Sequence, residues 1–443
     1  MGHLIPQSMQ PYVLPVLWGV VIVAVLPLLA GYIVLLERKV MADMQARLGP
    51  MRVGPHGLLQ PIADAVKLLL KEDIIPHNAD HLMFWVAPVI SVTMALLAYA
   101  AMPFGPAFQV ADLNIGLLFI LAVSSLGIYG ITLGGWASNS HYSLLGALRS
   151  AAQLVSYETA AALGLVSGLL FAGSLSMKEI VQAQYDQGIW FVFWVPIGFF
   201  IYLVASIAET NRAPFDLPEA ESELVAGYMT EYSGFRWSLY FLAEYANMVI
   251  VAGIATTLFL GGWLRPFPRV HARLLGTSIE MMDALPSLLL LGVGAYCFWL
   301  APKQPVKIQK LVMALVGALC FAIAGGMVAV QLIAPGGVRD GVFGGFWFMA
   351  KVMIYLYAFL WIRFTFPRYR FDQLMRLGWR FLIPLALVNV IGVGVAIVLR
   401  QHWGWNHPEG TLILTTLATL VVAFWLASSD ESHEAAIRTA DGE

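Results

Sequence analysis

Long apolar runs separated by short polar segments dominate the hydrophobic pattern of this chain. Each run approaches the ~20 mostly apolar residues that a helix needs to cross a bilayer. The runs fall at residues about 11–36, 82–103, 115–137, 150–173, 188–208, 238–262, 285–301, 309–334, 342–363, 380–400 and 411–428. They are too long and too uniformly apolar for barrel strands, and a helix satisfies its own backbone groups in lipid. The pattern therefore predicts an all-α polytopic bundle of about eleven transmembrane spans.

Charged residues are scarce along the whole chain. Of 443 residues, 59% are hydrophobic and 12% are Asp, Glu, Lys or Arg, against roughly 25% charged residues in an ordinary soluble domain. A soluble protein of this length needs more polar residues to cover its surface, which excludes a cytosolic enzyme, a nucleic-acid-binding module and a disordered scaffold. The net charge of −2 gives no indication of a nucleic-acid partner.

The two cysteines, Cys297 and Cys320, lie in apolar runs without a CxxC spacing. A zinc site or an iron–sulfur cluster would need about four such ligands. We therefore expect both cysteines to serve as small apolar side chains, and we expect the chain to bind no metal or cluster of its own.

Most Lys and Arg residues fall into the loops on one side of the predicted bundle when the N-terminus is placed outside. Basic residues collect in cytoplasmic loops, so the pattern predicts an N-terminus outside and a C-terminus inside. Residues 1–428 are predicted to form one transmembrane domain and 429–443 a polar tail. Three charge-dense segments, 37–81, 209–236 and 363–380, fall on the predicted inner side.

The first charge-dense segment combines a loop rich in Gly and Pro with a short amphipathic helix. The helix is predicted to start near Pro61, a favourable first-turn residue, and to lie in the membrane interface with its apolar side toward acyl chains. Its polar face carries Gln60, Asp64, Lys67 and Lys71. The helix either anchors the fold or forms a wall of an entrance for a lipid-like substrate. Asp64 and Lys67 are also close enough along the helix to pair with each other.

The second charge-dense segment is acidic. Its carboxylates are Glu209, Asp216, Glu219, Glu221, Glu223 and Glu231. A solvated acidic loop is one interpretation, but the acids are interleaved with large apolar residues, which favours a folded and partly buried cluster. Crowded carboxylates raise one another's pKa, which is a property that proton-relay groups need near neutral pH.

Three charged residues, Glu158, Glu244 and Lys351, fall inside predicted spans. Each costs about 2.5–3.5 kcal/mol in lipid on insertion scales, so each is expected to face the protein interior. The carboxylates either carry protons or form internal salt bridges, and Lys351 either has a functional role or pairs with a Glu.

The third charge-dense segment is basic. It contains Arg363, Arg368, Arg370, Arg376 and Arg380. Basic residues at the cytoplasmic end of a helix usually set topology and contact anionic lipid headgroups. Docking of a soluble partner or of a quinone headgroup is the second interpretation of this segment.

Four long motifs, in order, carry a resemblance to a known family. They are ERKVMADMQARLGPMRVGPHGLLQPIADAVKLLLKED, LRSAAQLVSYE, AETNRAPFDLPEAESELVAGYMTEYS and PRYRFDQLMRLGW. Over residues about 11–262 and 342–400, the chain resembles the quinone-site membrane subunit of respiratory complex I, which is the H subunit of bacterial NADH:quinone oxidoreductase. Members of that family are eight-span proteins that form most of the quinone-access chamber below soluble subunits.

The resemblance implies roles for the charged residues singled out above. Near the quinone entrance or in the chamber it places Glu37, Arg38, Asp64, Lys67, Arg212 and Asp216. Along a route for protons or an electrostatic signal it places Glu158, Glu209, Glu219, Glu221, Glu223 and Glu244. The resemblance also implies a bacterial inner membrane, quinone as substrate, and NADH, FMN and iron–sulfur clusters bound by partner subunits. It implies no metal, no flavin and no catalytic residue in this chain alone.

The chain departs from the family pattern in two places. Residues about 285–334 supply two extra spans between the sixth and seventh family spans, and residues about 411–428 supply one more after the eighth. Both additions are expected to lie away from the motif loops and to affect peripheral packing more than chemistry. Contact with a lineage-specific partner or with lipid is the function they suggest.

The sequence thus predicts the quinone-chamber subunit of a proton-translocating NADH:quinone oxidoreductase, with other membrane subunits, soluble quinone-site subunits, quinone and lipid as partners. The homologous membrane subunit of an energy-converting hydrogenase or formate hydrogenlyase is the alternative. A stand-alone ion carrier is a third interpretation, and the absence of internal repeats disfavours it.

Overall fold

A computed structural model describes residues 10–106, 108–216, 225–266, 279–303 and 307–402, and residues 416, 419, 421 and 422. Its regular elements are helices. They are α1 (Gln10–Met44), α2 (Gln60–Leu70), α3 (His81–Ala98), α4 (Gly116–Ala137), α5 (His141–Ala172), α6 (Met177–Gln187), α7 (Phe191–Trp194), α8 (Pro196–Glu209), α9 (Gly234–Phe259), α10 (Ile279–Leu300), α11 (Lys307–Ile333), α12 (Gly336–Thr365), α13 (Phe371–Arg376) and α14 (Ile383–His402). A π-helical turn, Leu377–Leu382, joins α13 to α14.

The described helices confirm the prediction of an all-α polytopic bundle. Nine of them are long and apolar enough to cross a membrane within the part of the chain that the structure describes. These stretches are Pro15–Met44, His81–Ala101, Gly116–Ala137, His141–Ala172, Gly234–Phe259, Met282–Lys303, Gln309–Ile333, Gly336–Thr365 and Phe371–Leu399. They correspond to nine of the eleven predicted spans.

The two remaining predicted spans differ from these nine. The run at 188–208 is divided into α7 and the 14-residue helix α8, which begins at Pro196. Proline removes a helical hydrogen bond in mid-helix but fits the first turn, so the chain restarts its helix there. The last predicted span, 411–428, and the tail 429–443 lie almost entirely outside the described residues.

Helix α1 extends beyond the predicted end of its apolar run. It continues to Met44 because the residues after 36 include strong helix formers and neither Gly nor Pro. Glu37 and Arg38 therefore lie on a helix and not in the loop where the sequence pattern placed them. Their side chains project from a rigid element, and the loop begins only after residue 44.

The amphipathic helix predicted near Pro61 is α2. The Nε2 atom of Gln60 donates to Oδ1 of Asp64 at 2.9 Å, which confirms that these two positions share a face. Ile62, Val66 and Leu70 are exposed on the other side. A membrane-interface location for this apolar side stays a prediction.

Helix α9 is the central element of the bundle. Of its most apolar 18-residue window, 78% is buried, the largest buried fraction among the nine long stretches. It packs against α3 and α12, and it also contacts α1, α2 and α8. Because α9 is enclosed by protein, a charged residue on it faces other side chains instead of lipid, and Glu244 lies on this helix.

Lys351, on α12, has a partner that the sequence did not predict. Its Nζ atom donates to the carbonyl oxygens of Leu260 at 2.7 Å, Gly262 at 2.9 Å and Leu264 at 2.6 Å. Of the two interpretations left open for Lys351, pairing with a Glu is not the contact that its ammonium group makes. The ammonium group instead satisfies backbone acceptors that follow α9, where helical hydrogen bonding has ended.

The two extra spans form α10 and α11, which pack against each other and which we call the inserted hairpin. Near one end of the hairpin, Asp283 is fully buried and accepts from Arg265 Nε at 2.6 Å and from Arg339 Nε at 3.1 Å. At the other end, Leu58 packs against the small apolar core that the hairpin residues Cys297, Ala301 and Met313 form. The expectation that this insertion lies away from the motif loops is therefore wrong, because Leu58 belongs to the first of those loops.

Candidate functional site

The three charge-dense segments meet at one end of the bundle. Arg236 Nε donates to both carboxylate oxygens of Asp73 at 2.9 and 2.8 Å, which ties the second segment to the first. Arg368 pairs with Asp216 at 3.5 Å, which ties the third segment to the second. These contacts join residues more than a hundred positions apart in the chain and bring the three segments together.

A cluster of five side chains lies where the loop after α8 meets α1, α9 and α12. It contains Glu37, Arg212, Glu244, Tyr245 and Arg363, and we call it the Arg212 cluster. Arg212 lies 3.6 Å from Glu37 (Nη1 to Oε1) and 3.2 Å from Glu244 (Nε to Oε1). Its guanidinium carbon is 4.4 Å from the centre of the Tyr245 ring. Arg212 thus lies between two carboxylates and over an aromatic face.

Glu37 has two further partners in the cluster. Tyr245 donates its hydroxyl to Glu37 Oε2 at 2.7 Å, and Arg363 pairs with Glu37 Oε1. Glu37 and Arg212 are only 8% and 7% exposed. Buried charges are tolerated when they are paired and hydrogen-bonded, and the two carboxylates here are balanced by two guanidinium groups.

The loop after α8 holds Arg212 in place through backbone contacts. Gln153, which is fully buried on α5, donates from Nε2 to the carbonyl oxygens of Ala208 at 2.8 Å and Phe215 at 2.9 Å. Phe215 stacks on Tyr369 with the ring centres 5.5 Å apart. One amide from α5 therefore fixes both ends of the short turn that carries Arg212.

A cavity of about 60 Å³, lined by both polar and apolar side chains, lies next to the Arg212 cluster. Three carboxylates line it, one each from α5, α8 and α9: Glu158, Glu209 and Glu244. The remaining polar lining comes from Ser91, Ser124, Ser125, Thr210, Asn211, Tyr228, Tyr240 and Asn247. Ser125 donates to Glu158. A cavity of this size and polarity has room for water between the carboxylates, and we call it the acidic cavity.

Arg38 and Asp64 form a separate polar contact where α1 meets α2. Arg38 Nη1 lies 2.7 Å from Asp64 Oδ2, and Gln60 donates to the other carboxylate oxygen. The suggested pairing of Asp64 with Lys67 is not the contact that Asp64 makes, and Lys67 is exposed on α2. The ion pair fixes the amphipathic helix against α1 at the residue next to Glu37.

The structure brings most of the site residues suggested by the sequence into these three groups. Glu37, Arg212 and Glu244 meet in the Arg212 cluster, and Glu158 and Glu209 line the acidic cavity beside it. Asp216 pairs with Arg368 where the second and third charge-dense segments meet. Glu219, Glu221 and Glu223 lie outside the described residues.

Two members of the Arg212 cluster, Arg363 and Tyr245, were not among the suggested site residues. Arg363 and Arg368 were interpreted chiefly as topology and lipid contacts, yet each pairs with a site carboxylate. Arg363 is 326 positions from Glu37 in the chain, so no local spacing connects them. For Tyr245, its position directly after Glu244 was the available signal.

These features define the class of protein. Helices that are long and apolar enough to cross a membrane, with paired charges and an acid-lined cavity among them, make this a polytopic membrane protein with charged groups buried in its interior. A family model described as NADH dehydrogenase matches residues 17–394.

Individual relatives agree with the family model, and each is an H subunit of NADH-quinone oxidoreductase. The chain is 54% identical over 397 residues to the H subunit numbered 2 of Solibacter usitatus, covering 89% of this chain and 98% of the relative. It is 52% identical over 401 residues to the H subunit numbered 1 of Koribacter versatilis, covering 87% and 91%. It is 42% identical over 393 residues to the H subunit of Rickettsia bellii (strain OSU 85-389), covering 88% and 96%.

The chain belongs to the family of H subunits of NADH-quinone oxidoreductase, respiratory complex I. It is a multi-pass membrane component of an oxidoreductase complex, and its partners include the other subunits of that complex.

Proposed function

We propose that this subunit forms the quinone-access chamber of its complex and couples quinone reduction to proton translocation. The observation that supports this most directly is the position of Glu244. Its carboxylate contacts Arg212 in the Arg212 cluster, and it also lines the acidic cavity with Glu158 and Glu209. Glu244 therefore belongs both to the Arg212 cluster and to the acidic cavity.

The coupling step follows from the charge balance of the Arg212 cluster. Reduction of quinone near this cluster changes the local charge. A change of one charge unit in a low-dielectric site strongly alters the electrostatic energy of the charged side chains beside it. Arg212 can then pair more closely with Glu37 or with Glu244, since it lies within 3.6 Å of both carboxylates. A shift away from Glu244 favours protonation of that carboxylate, and the acidic cavity supplies Glu209 and Glu158 as the next acceptors.

Quinone reaches the chamber past the contact of α1 with α2 in this proposal. The exposed apolar side of α2 suits an isoprenoid tail in the membrane interface, while Arg38 and Asp64 lie on its polar side. The ion pair of Asp216 with Arg368, where the second and third charge-dense segments meet, faces the soluble quinone-site subunits in this proposal. Lipid contacts the outer faces of the bundle.

The complex supplies the remaining parts of the reaction. Electrons arrive from NADH through FMN and iron–sulfur clusters in partner subunits, and this chain alone has no catalytic activity. We place the protein in a bacterial inner membrane with the N-terminus outside and the C-terminus inside. The three charge-dense segments then face the cytoplasm, as their basic residues favour.

The whole complex, reconstituted in liposomes, provides the test of this function. Quinone-dependent NADH oxidation, inhibited by compounds that fill the quinone chamber and accompanied by proton movement, is the expected result. Hydrogen evolution without quinone would instead assign the chain to a hydrogenase-type assembly. Ion movement by the purified single chain would contradict its role as a coupled subunit.

Removing the α1–α2 ion pair tests the proposed entrance. Arg38 and Asp64 are 41% and 30% exposed, and such a pair is worth about 1 kcal/mol or less. We expect Asp64→Ala to raise KM for quinone about fivefold and to leave kcat nearly unchanged. Steady-state kinetics with short-chain and long-chain quinones measure both constants.

The control for this variant is Asp372→Ala. Asp372 also pairs with an arginine, Arg376, at 3.5 Å on the surface, but it lies on α13, away from α2. It should leave KM unchanged. If Asp64→Ala leaves KM unchanged for both quinones, the entrance does not lie at this contact.

A further inference from the structure

The inserted hairpin is anchored to the rest of the bundle at both of its ends. Near one end, Arg265 donates to Asp283 from Nε at 2.6 Å and from Nη2 at 2.9 Å. The same Nη2 donates to Asp340 at the start of α12 at 2.9 Å. Asp283 has no exposed surface. These charge-assisted bonds therefore link the start of α10 to Arg265 and, through Arg265, to the start of α12.

The opposite end of the hairpin contacts the loop that leads into α2. Leu58 packs against the small apolar core that Cys297, Ala301 and Met313 form in the hairpin. The turn Pro55–Gly57 just before Leu58 contacts α11. Met313 is only 4% exposed, whereas Leu311 and Leu315 on the same helix are 61% and 60% exposed. Met313 therefore lies on the side of α11 that faces this small core, against which Leu58 also packs.

The loop transmits this contact to α2 because it is tightly folded. Leu58 lies two residues before α2 begins at Gln60. Leu59 donates its backbone N–H to the carbonyl of Val53 at 3.2 Å. Gly57 has φ +77°, and a Cβ atom there would collide with the Pro50 carbonyl oxygen. With so little freedom in the loop, a displacement of Leu58 moves the first turn of α2 and the Asp64 side chain one turn further on.

We propose that the inserted hairpin is a positioning element of the quinone entrance, in which Met313 acts through Leu58 to set where α2 lies. This inference rests on the proposed function. The ligand group that depends on this positioning is the apolar tail of a long-chain quinone, because that tail must pass the exposed apolar side of α2. A short-tailed quinone has little contact with the apolar side of α2 and therefore depends less on the position of this helix.

Kinetics of the assembled complex in its own membranes test this role. Met313→Ala opens a gap behind Leu58 and is expected to raise KM for a long-tailed quinone about fivefold. KM for a short-tailed quinone should change by less than about twofold, and kcat should be retained for both. Met313→Leu, which keeps the volume, should restore the wild-type KM.

Leu58→Ala approaches the same contact from the loop. It should reproduce the effect, and the double variant should show no further rise in KM, since both substitutions remove one contact. Leu315→Ala, on the exposed side of α11, is the matched control and should leave all constants unchanged.

Three outcomes would overturn the proposal. They are an unchanged KM for the long-tailed quinone, an equal change for both quinones, and a smaller amount of complex whose kinetics are those of the wild type. The last result would limit the hairpin to assembly. Absence of inhibitor-sensitive quinone reduction in the wild-type complex would instead reject the proposed function itself, so the two failures are distinguishable.

Discussion

Glu209→Gln is expected to reduce proton translocation by the complex at least about tenfold, while the complex still assembles. Glutamine keeps the size and hydrogen-bonding ability of the side chain but cannot give up or take a proton. Glu209 lines the acidic cavity together with Glu158 and Glu244, so this substitution removes one of the three carboxylates that can pass the proton on. Proton uptake driven by NADH and quinone in proteoliposomes is the measurement, and tight coupling should lower quinone reduction in parallel.

Glu179→Gln is the matched control for this experiment. Glu179 lies on α6 and is exposed, so its substitution makes the same chemical change away from the cavity and should leave both activities intact. Full quinone reduction and full proton uptake in the Glu209→Gln complex would remove Glu209 from the relay. Native gel electrophoresis shows whether each variant complex has assembled.

The sequence predicted the elements of the fold well because local patterns determine them. The apolar runs identify the spans, and the face shared by Gln60 and Asp64 identifies α2. The sequence pattern places the end of α1 too early, because the apolar run ends at residue 36, whereas Glu37 and Arg38 have good helix propensity and find partners on other helices. Only the tertiary structure supplies those partners.

The sequence predicts the carboxylates of the candidate site but not the side chains with which they pair. Glu158 and Glu244 stood out because an intramembrane carboxylate is costly. Arg363 did not, because an arginine at a cytoplasmic helix end has a common alternative explanation and its partner Glu37 is 326 positions away. Likewise, nothing in the spacing of the inserted hairpin relates its small core of Cys297, Ala301 and Met313 to Leu58, since their packing depends on how α10 and α11 lie against the first loop.

Arg212→Met is expected to have the largest effect on the assembled complex. Removing one partner from a buried charge network costs about 3–5 kcal/mol, because the remaining charges lose their compensation. Here the substitution leaves Glu37 with Arg363 and Tyr245, but it removes the guanidinium that lies 3.2 Å from Glu244. We expect a lower thermal denaturation temperature, less assembled complex and at least about tenfold lower quinone reduction per assembled complex.

The double variant Arg212→Met with Glu244→Gln separates charge from packing in this result. If the uncompensated Glu244 carboxylate causes the destabilisation, neutralising it should recover much of the denaturation temperature without recovering activity. If the loss comes from the contact of Arg212 with the Tyr245 ring, 4.4 Å away, the double variant should be no more stable than Arg212→Met alone. That second result would contradict the charge balance on which the coupling mechanism rests, because Arg212 would then be a packing residue and not the group that the two carboxylates share.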